Sequence, residues 1–585
     1  MSRDGIVMAE ILVVSAVWFV LSLLLCGLGA LVRRALRFRV ADDSDLFFDW
    51  WIGWALTVVF LLAWHLALAI TVWTYVPIAV AGVAGASMAR KDWKRALQPA
   101  LQGRATLAAL LVLAWLAVAA LTLGPERQYD SALYHLQSVR WAQAYPVVPG
   151  LANIHSRFAM NGSFFLFGAL VETVQIGGRS LRLAVGILFL PMLVQGIVTV
   201  HAAVMGQRKM DLLRWFQVLM IPVTLWQARQ YASGLSPDGV VFVLAVVLSA
   251  ELLRILCRNE QPPDGNKPGM GWDYRIFGIV LLAVIGVTVK VSFAIFGVAA
   301  AVVALWRWST VPLTITGSSR QDGTSRWVLF TRIIVPAIFI ATLWMVHGVI
   351  MSGYIAYPSA VGSFPVDWRL PPSVVQRDAD WIVAWARRPR MHPGEVIGNY
   401  YWLPRWLAKT ARNRNIIAVA LTLALAGALR IGGRRQRQQS TDPAQLRACM
   451  FLLPSLLYVG VWFVTAPAIR FTIGPLWVIA VGALALSAAR YGHSPLDERW
   501  ARIAVHAVLV FILVTVCTIG LNESLSAPSL HPVKRMTTLS GLTVYVPVAG
   551  DQCGDAPLPC SSVPPDQRLE LRHPGTLANG FRIAK

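Results

Sequence analysis

Residues 6–32 read IVMAEILVVSAVWFVLSLLLCGLGALV, and the chain continues as RRALRFR over residues 33–39. An apolar run of this length can cross the roughly 30 Å of hydrocarbon in a bilayer as one helix. Arginines follow it and no small-residue cleavage site does, so it predicts a retained membrane span rather than a secretory signal. Its C-terminal end is expected in the cytoplasm.

Similar apolar runs recur along all 585 residues, of which 56% are hydrophobic and only 14% charged. The pattern predicts an all-α polytopic membrane protein with about 14 transmembrane helices. Their approximate positions are 6–32, 50–70, 72–89, 105–123, 183–205, 213–228, 238–257, 276–289, 291–307, 328–350, 415–431, 447–465, 471–489 and 501–521.

The formal net charge of +23 comes from Arg and Lys that cluster in short loops between these runs. Every second loop is basic, as the positive-inside rule requires. The charge therefore predicts the orientation of the chain in the membrane, with both termini outside the cytoplasm. No soluble basic domain carries it, so nucleic acid is not an expected partner.

The run 276–307 is interrupted only by Lys290. One long tilted helix would reverse the side of everything after it, whereas basic loops on both flanks favour two short spans with Lys290 at the outer turn.

This orientation divides the chain into alternating membrane and outer regions. The transmembrane regions are 1–123, 183–350 and 415–521; the periplasmic regions are a first large loop at 124–182, an aromatic-rich loop at 351–414 and a tail at 522–585. The aromatic residues of 351–414 fit either an interfacial belt or a groove for sugar or lipid. The first loop predicts a helix over Tyr129–Tyr145 and an interfacial amphipathic helix over Asn161–Val174.

The tail contains DQCGDAPLPC at residues 551–560 and short β-favouring patches, which predict a small β-rich cap. Cys553 and Cys560 predict a disulfide if the compartment is oxidising. A zinc pair is the competing interpretation, although no His or second Cys pair accompanies them.

Asp130 opens the first outer helix and shares a face with Tyr134 and Trp141, while His135 and Arg140 lie on adjoining faces. At a dry boundary its carboxylate could have a raised pKa and act as a general base. The alternative is that Asp130 only caps the helix.

Further polar residues follow in NIHSRFAMN, where a phosphate or sugar site and a solvated loop are equally consistent with the sequence. They are Asn153, His155, Arg157 and Asn161.

Asp238 lies in GLSPDGV, flanked by Arg229 and Tyr231. Ser236, Pro237 and Asp238 fit the first positions of a helix. A second outward carboxylate could also serve as an acid–base partner or as a ligand for Mg²⁺ or Mn²⁺.

Lys290 and Arg470 stand at the outer ends of spans and either snorkel or neutralise a lipid phosphate. Arg405 and Lys409 break the positive-inside pattern and suggest a basic amphipathic helix that seats an anionic head group.

The chain resembles the GT-C superfamily of integral-membrane glycosyltransferases. The resemblance rests on Asp130 in YDSALYHLQSVRW, on the short turn ending in Asp238 and on Lys290 between two short spans. Longer stretches, including SGYIAYP and APAIRFTIGPLW, resemble a bacterial family of polytopic membrane proteins. The resemblance implies a polyprenyl-phosphate-linked sugar donor and transfer at the outer face of the membrane.

Glycosyl transfer to a glycan, lipid or protein acceptor is therefore the expected function. Asp130 would be the base, supported by Asp238. A glycan polymerase or ligase, and a lipid or sugar transporter or flippase, are the alternatives. No nucleotide-binding loop, HExxH motif or nucleophile elbow is present.

Overall fold

The structure is a computed structural model that describes residues 3–38, 44–101, 105–176, 179–180, 183–204, 210–257, 272–310, 325–434, 443–491 and 531–584. Helices dominate these residues. They are α1 (Arg3–Ala35), α2 (Ser44–His65), α3 (Tyr75–Leu101), α4 (Ala105–Thr122), α5 (Leu136–Ala144), α6 (Phe164–Val171), α7 (Gly186–Val204), α8 (Leu212–Tyr231), α9 (Pro237–Cys257), α10 (Trp272–Val289), α11 (Ala294–Thr310), α12 (Ser325–Ser352), α13 (Pro372–Arg387), α14 (Pro393–Val396), α15 (Leu403–Ala411), α16 (Arg414–Arg434), α17 (Pro443–Cys449), α18 (Leu453–Thr465) and α19 (Ile469–Ala488).

Within the described residues, eleven helical segments are long and apolar enough to cross a membrane. They correspond to eleven of the predicted spans, which confirms a helical polytopic protein. The predicted spans 213–228 and 276–289 coincide with α8 and α10, which are helical but not among the eleven. The predicted span 501–521 lies outside the described residues, so the count of about 14 stays a prediction.

The run 276–307 forms two helices that pack against each other. Helix α10 ends at Val289, and the backbone N–H of Phe293 donates to the carbonyl of Lys290 (2.8 Å) in the short turn before α11. A Cβ on Gly286 would lie 2.4 Å from the Phe293 ring, so glycine allows this ring to close over α10. The break at Lys290 is thus built by local packing.

Helix α9 lies at the centre of the helical core. Its most apolar 18-residue window is 89% buried, compared with 11% for α16. Helices α8, α10, α11 and α19 pack around α9. A helix that is apolar on all sides is expected to be buried by protein in this way, and its first turn carries Asp238.

The first outer loop confirms one predicted helix and corrects another. A π-helical turn at Ser131–His135 continues into α5, which ends at Ala144 before Pro146. The segment Asn161–Val174 was expected to lie in the interface plane, but every residue of α6 is buried. That prediction is wrong because FFLFGALV is apolar on all sides and packs inside the protein. Two short strands, β1 (Gln175–Ile176) and β2 (Arg179–Ser180), pair antiparallel after it.

The C-terminal cap, residues 531–584, contains two antiparallel strand pairs. Strand β3 (Val533–Thr537) pairs with β4 (Thr543–Pro547), with Arg535 opposite Tyr545, and β5 (Leu569–Leu571) pairs with β6 (Phe581–Ile583). Cys553 and Cys560 form a disulfide. The β-rich cap and the disulfide are therefore confirmed.

Candidate functional site

Four elements that are far apart in the sequence bring charged side chains together. Asp130 precedes the π-helical turn, Asp238 lies in the first turn of α9, Lys290 lies between α10 and α11, and Arg470 lies in the first turn of α19. We call these four residues the charge cluster. Their meeting places the ends of α9, α10, α11 and α19 beside the first outer loop.

Asp130 faces Arg470 and does not cap its helix. Its side chain makes no capping hydrogen bond to the π-helical turn. Instead, Arg470 Nη1 donates to Asp130 Oδ2 at 2.8 Å, and the Asp130 side chain is only 18% exposed. The capping alternative is therefore not supported by the geometry, since the carboxylate is directed at another helix.

Asp238 lies beside both cations of the charge cluster, Lys290 and Arg470. Ser236 accepts the backbone N–H of Asp238 (3.3 Å) at the start of α9, as the sequence predicted for a capping serine. The Asp238 carboxylate is left to accept a hydrogen bond from Lys290 Nζ, and its second oxygen lies 4.0 Å from Arg470 Nε. Arg470 thus contacts both carboxylates of the charge cluster.

An aromatic ring lies against the two cations. Lys290 Nζ is 4.1 Å and Arg470 Cζ is 5.1 Å from the centre of the Phe471 ring. A ring face attracts cations and excludes water from one side of them. Lys290 and Arg470 therefore have defined positions, which simple snorkelling would not require.

Arg157 approaches the same region from the loop that follows α5. Its guanidinium lies 6.0 Å from the centre of the buried Tyr134 ring. Among the described residues, no carboxylate lies within ion-pair distance of Arg157, although its charge acts on Asp130. Arg157 is thus a half-buried cation beside the charge cluster, and its charge can interact with a bound anion.

The pKa of Asp130 lies below its usual value, which corrects the sequence-based expectation. Burial, the largest single effect, would raise the pKa of this carboxyl, but Arg470, His135 and Arg157 together lower it further than burial raises it. Burial lowers the pKa of His135 to about 4. At neutral pH Asp130 is therefore ionised and His135 neutral.

The two asparagines of the predicted polar loop serve the fold. Asn153 Nδ2 donates to the carbonyls of Gly150 (3.2 Å), Trp368 (2.9 Å) and Phe581 (3.3 Å), and so joins three segments. Asn161 Nδ2 donates to the carbonyl of Trp344 (2.7 Å). Their amide donors are used, and we assign neither to substrate binding.

Within the described part of the chain, His155 also has a buried polar atom without a hydrogen-bond partner, as Asn153 does at Oδ1. It is 8% exposed, and its Nδ1 has no hydrogen-bond partner among the described residues. Burial and the nearby Arg157 charge lower its pKa to about 4, so it is neutral. A neutral imidazole beside Arg157 can offer hydrogen bonds but no charge.

Three other predicted residues have separate positions. Arg140 pairs with Asp555 of the C-terminal cap, and Arg229 is exposed on the last turn of α8. Tyr231 is buried. A Cβ placed on Gly239, the residue after Asp238, would lie 2.8 Å from the Cβ of Tyr231, so Tyr231 packs beside Asp238. Of the three, Tyr231 alone borders the charge cluster.

Arg405 and Lys409 are exposed on α15, a short helix that leads within three residues into α16. Trp406, between them, is buried and donates through Nε1 to the carbonyl of Pro467 (2.6 Å). Helix α15 is therefore amphipathic and is attached to the turn that precedes Arg470. The helix has the exposed basic residues that the sequence predicted, and their binding of a lipid phosphate stays a prediction. The helix lies at the edge of the site.

A family comparison covers most of these elements. The family described as Domain of unknown function (DUF8201) matches residues 11–477. The chain belongs to this family. Among curated proteins and among solved structures, nothing matches the chain. The family match includes all four members of the charge cluster and ends before the C-terminal cap.

Two carboxylates near the site were not predicted from the sequence. Tyr129 donates its hydroxyl to Asp551 of the cap, and this bond, followed by burial, raises the pKa of Tyr129 to about 12. Asp378 of α13 accepts hydrogen bonds from Ser156 and Tyr357, each at 2.5 Å. Neither pairing has a local sequence signal, because the partners are more than 20 residues apart.

The donor set does not fit a resident Mg²⁺ or Mn²⁺. Within the described residues, no three His, Cys, Asp or Glu side chains converge as metal ligands. The two cluster carboxylates are turned towards Arg470 and Lys290. Hard cations need several oxygen ligands, so we route no step through a metal ion.

Proposed function

We propose that this protein is a glycosyltransferase of GT-C type. It transfers a sugar from a polyprenyl-phosphate donor to a glycan, lipid or protein acceptor at the periplasmic face of the bacterial inner membrane. The observation that carries the proposal is the position of the Asp130 carboxylate, which is held by Arg470 among the ends of membrane helices and does not cap its own helix.

Glycosyl transfer by a single displacement needs two groups that this site can provide. A carboxylate must accept the proton of the acceptor hydroxyl, and cations must stabilise the departing lipid phosphate. Asp130 supplies the first group, and Arg470, Lys290 and Arg157 supply the second. Asp238 holds Lys290 and Arg470 in place.

The low pKa of Asp130 has a consequence for the order of events. A carboxylate held by Arg470 is a weak base. A donor phosphate competes with Asp130 for Arg470, and once Arg470 turns to the phosphate, burial raises the pKa of Asp130. Donor binding would therefore activate the base, and the acceptor would be deprotonated only when a donor is present.

The charge of the site favours a donor with one phosphate. Arg157, Lys290 and Arg470 carry three positive charges against the two negative charges of Asp130 and Asp238, which leaves one positive charge. A sugar joined to a polyprenyl monophosphate carries one negative charge, and a diphosphate carries two. Charge balance therefore supports single-sugar transfer over an oligosaccharide polymerase or ligase that uses a diphosphate.

The test is a transfer assay in proteoliposomes. Labelled sugars linked to polyprenyl monophosphate and to polyprenyl diphosphate are supplied with extracts of the cell envelope as acceptor. We expect labelled product and free polyprenyl phosphate from the monophosphate donor. Product from the diphosphate donor alone would support the polymerase or ligase, and movement of intact donor across the bilayer without product would support a flippase.

The side of the membrane is tested separately. Arg127, in the loop after α4, and Lys91, in the C-terminal half of α3, are both exposed, and each can be replaced by cysteine. An impermeant maleimide should label Arg127→Cys and leave Lys91→Cys unlabelled in intact spheroplasts. The reverse pattern would place the charge cluster in the cytoplasm and contradict the use of a periplasmic donor.

A further inference from the structure

The segment that carries Asp130 is held by the C-terminal cap on both sides of that residue. Before Asp130, Gln552 Nε2 donates to the carbonyl of Tyr129 (3.0 Å). After it, the backbone N–H of Gly554 donates to the carbonyl of Ala132 (2.8 Å). Asp130 therefore lies between two main-chain attachments to a different part of the chain.

Three further hydrogen bonds involve the π-helical turn and the start of α5. Ser562 Oγ donates to the carbonyl of Leu133 (3.0 Å), and Gln137 Nε2 donates to the carbonyls of Gly554 (3.1 Å) and Ala556 (2.8 Å). Gln137 is fully buried. A π-helical turn is rare and is stable only where its surroundings favour it, and the cap supplies such bonds here.

The cap segment that makes these bonds, residues 551–562, has no regular secondary structure apart from a single bridge to β4. Its first half contacts the Asp130 segment through Gln552, Gly554 and Ala556. Its second half is joined to β4 by main-chain hydrogen bonds. The backbone N–H of Tyr545 donates to the carbonyl of Pro559 (2.9 Å), and the carbonyl of Tyr545 accepts from the N–H of Ser561 (2.9 Å). The Cys553–Cys560 disulfide joins the two halves, and both cysteines are buried.

From this arrangement we infer that the disulfide-closed segment 551–562 is a positioning element that sets the direction of the Asp130 carboxylate towards Arg470. The inference rests on the proposed function for its catalytic consequence. Ser562 acts through the backbone of the π-helical turn, and Gln137 acts through the start of α5 that follows it. Neither residue touches the reacting groups. Without the disulfide, only the main chain of residues 553–560 joins the contacts at Tyr129, Ala132 and Gln137 to β4. The two halves of the segment can then move apart, and the turn can relax to other helical geometries.

The first measurement does not depend on catalysis. Hydrogen–deuterium exchange is compared between the purified wild-type protein and Cys553→Ser/Cys560→Ser. We expect amides 131–137 to exchange at least ~10-fold faster in the variant because their segment opens locally, while amides of α9 keep their wild-type rates. Unchanged protection at 131–137 would overturn the inference, as would an equal loss of protection throughout α9.

A second pair of variants covers the case in which the double cysteine variant does not fold. Ser562→Ala deletes one bond to the turn, and Ser562→Thr keeps a hydroxyl at the same position. We expect faster exchange at 131–137 with alanine and recovery with threonine. Wild-type exchange in Ser562→Ala would overturn the inference for Ser562, and thus for the contact that the second half of the segment makes.

The expected effect on catalysis is a lower kcat with nearly unchanged binding of the lipid phosphate. In Ser562→Ala, kcat for transfer should fall about 10-fold because small misplacements of a base are costly, while the affinity for a short-chain polyprenyl phosphate stays within about twofold. Equal loss of both would indicate a general structural role and contradict the inference. If the wild-type protein transfers no sugar, the proposed function has failed, and the exchange data still decide whether the cap positions the turn.

Discussion

The charge cluster and the loop at residues 150–161 look alike in the sequence, because both place polar side chains between apolar runs. In the structure they differ in their partners. Asn153 and Asn161 donate to main-chain carbonyls of distant segments, whereas Asp130 pairs with Arg470 and Asp238 with Lys290. A side chain that satisfies buried carbonyls maintains the fold, and breaking its bonds costs stability. An ion pair between half-buried side chains can instead be exchanged for a charged ligand.

The largest effect is expected for Asp130→Asn. This change keeps the size of the side chain and its ability to hydrogen-bond Arg470 but removes the basic carboxylate. If Asp130 is the general base, transfer should fall by at least ~10²-fold in the proteoliposome assay, with normal protein level. Asp566→Asn, which alters an exposed pair with Arg568 in the cap, is the matched control. Near wild-type transfer by Asp130→Asn would end the mechanism.

A smaller effect is expected for Arg470→Gln, with a change in pH dependence. Loss of one charge-assisted bond to the donor phosphate should weaken donor binding roughly 10-fold or more. Arg470 holds the pKa of Asp130 down, so its loss leaves burial to raise that pKa. The ionised carboxylate is the reactive form. The acid limb of the kcat/KM profile, which reports the enzyme before the donor binds, should therefore move to higher pH.

The control for the second prediction is Arg568→Gln, which removes an exposed arginine of the cap. It should leave both donor affinity and the pH profile unchanged. An acid limb that moves to lower pH in Arg470→Gln, or does not move, would separate Arg470 from Asp130 and break the proposed exchange of partners.

For the loop at residues 150–161, the comparison predicts a loss of stability without a loss of turnover. Asn153→Ala removes the side-chain donor to the carbonyls of Trp368 and Phe581 and should lower the free energy of unfolding by about 1–3 kcal/mol. Transfer per folded molecule should stay within about twofold. Thermal unfolding in detergent and the transfer assay provide the two readouts, with exposed Gln376→Ala as control. If turnover falls while stability is unchanged, Asn153 binds substrate, contrary to this prediction.

The smallest effect is expected for Arg405→Ala/Lys409→Ala. Both side chains are exposed on α15, where water and salt weaken their attraction for phosphate. A membrane-surface charge contributes at most about 1 kcal/mol, which is roughly fivefold in affinity. Because screening reduces the contribution of both exposed side chains, donor affinity should fall by a few fold at low salt and by less at high salt. A loss as large as that of Arg470→Gln would move these residues from the edge of the site to its centre.

The candidate site was partly predictable because its residues lie at helix ends. Each member of the charge cluster could be identified as a charged residue next to an apolar run. A charge there is costly unless it is paired or takes part in function. Which of them meet could not be predicted, since Asp130 and Arg470 are 340 residues apart. The predicted rise in the pKa of Asp130 was wrong for the same reason. The sequence indicated a dry environment, which raises the pKa, but it did not show the arginine beside Asp130, which lowers it.

The sequence by itself determined the class of protein, the break at Lys290, the helix start at Ser236 and the disulfide, because these depend on local composition and spacing. Only the tertiary structure decided that α6 is buried, that Asp130 does not cap its helix and that the cap holds the π-helical turn. Apolar periodicity shows that a helix must bury a face but does not name its neighbour. Hydrogen bonds and ion pairs between distant segments depend on that neighbour, and so they appear only when the chain is folded.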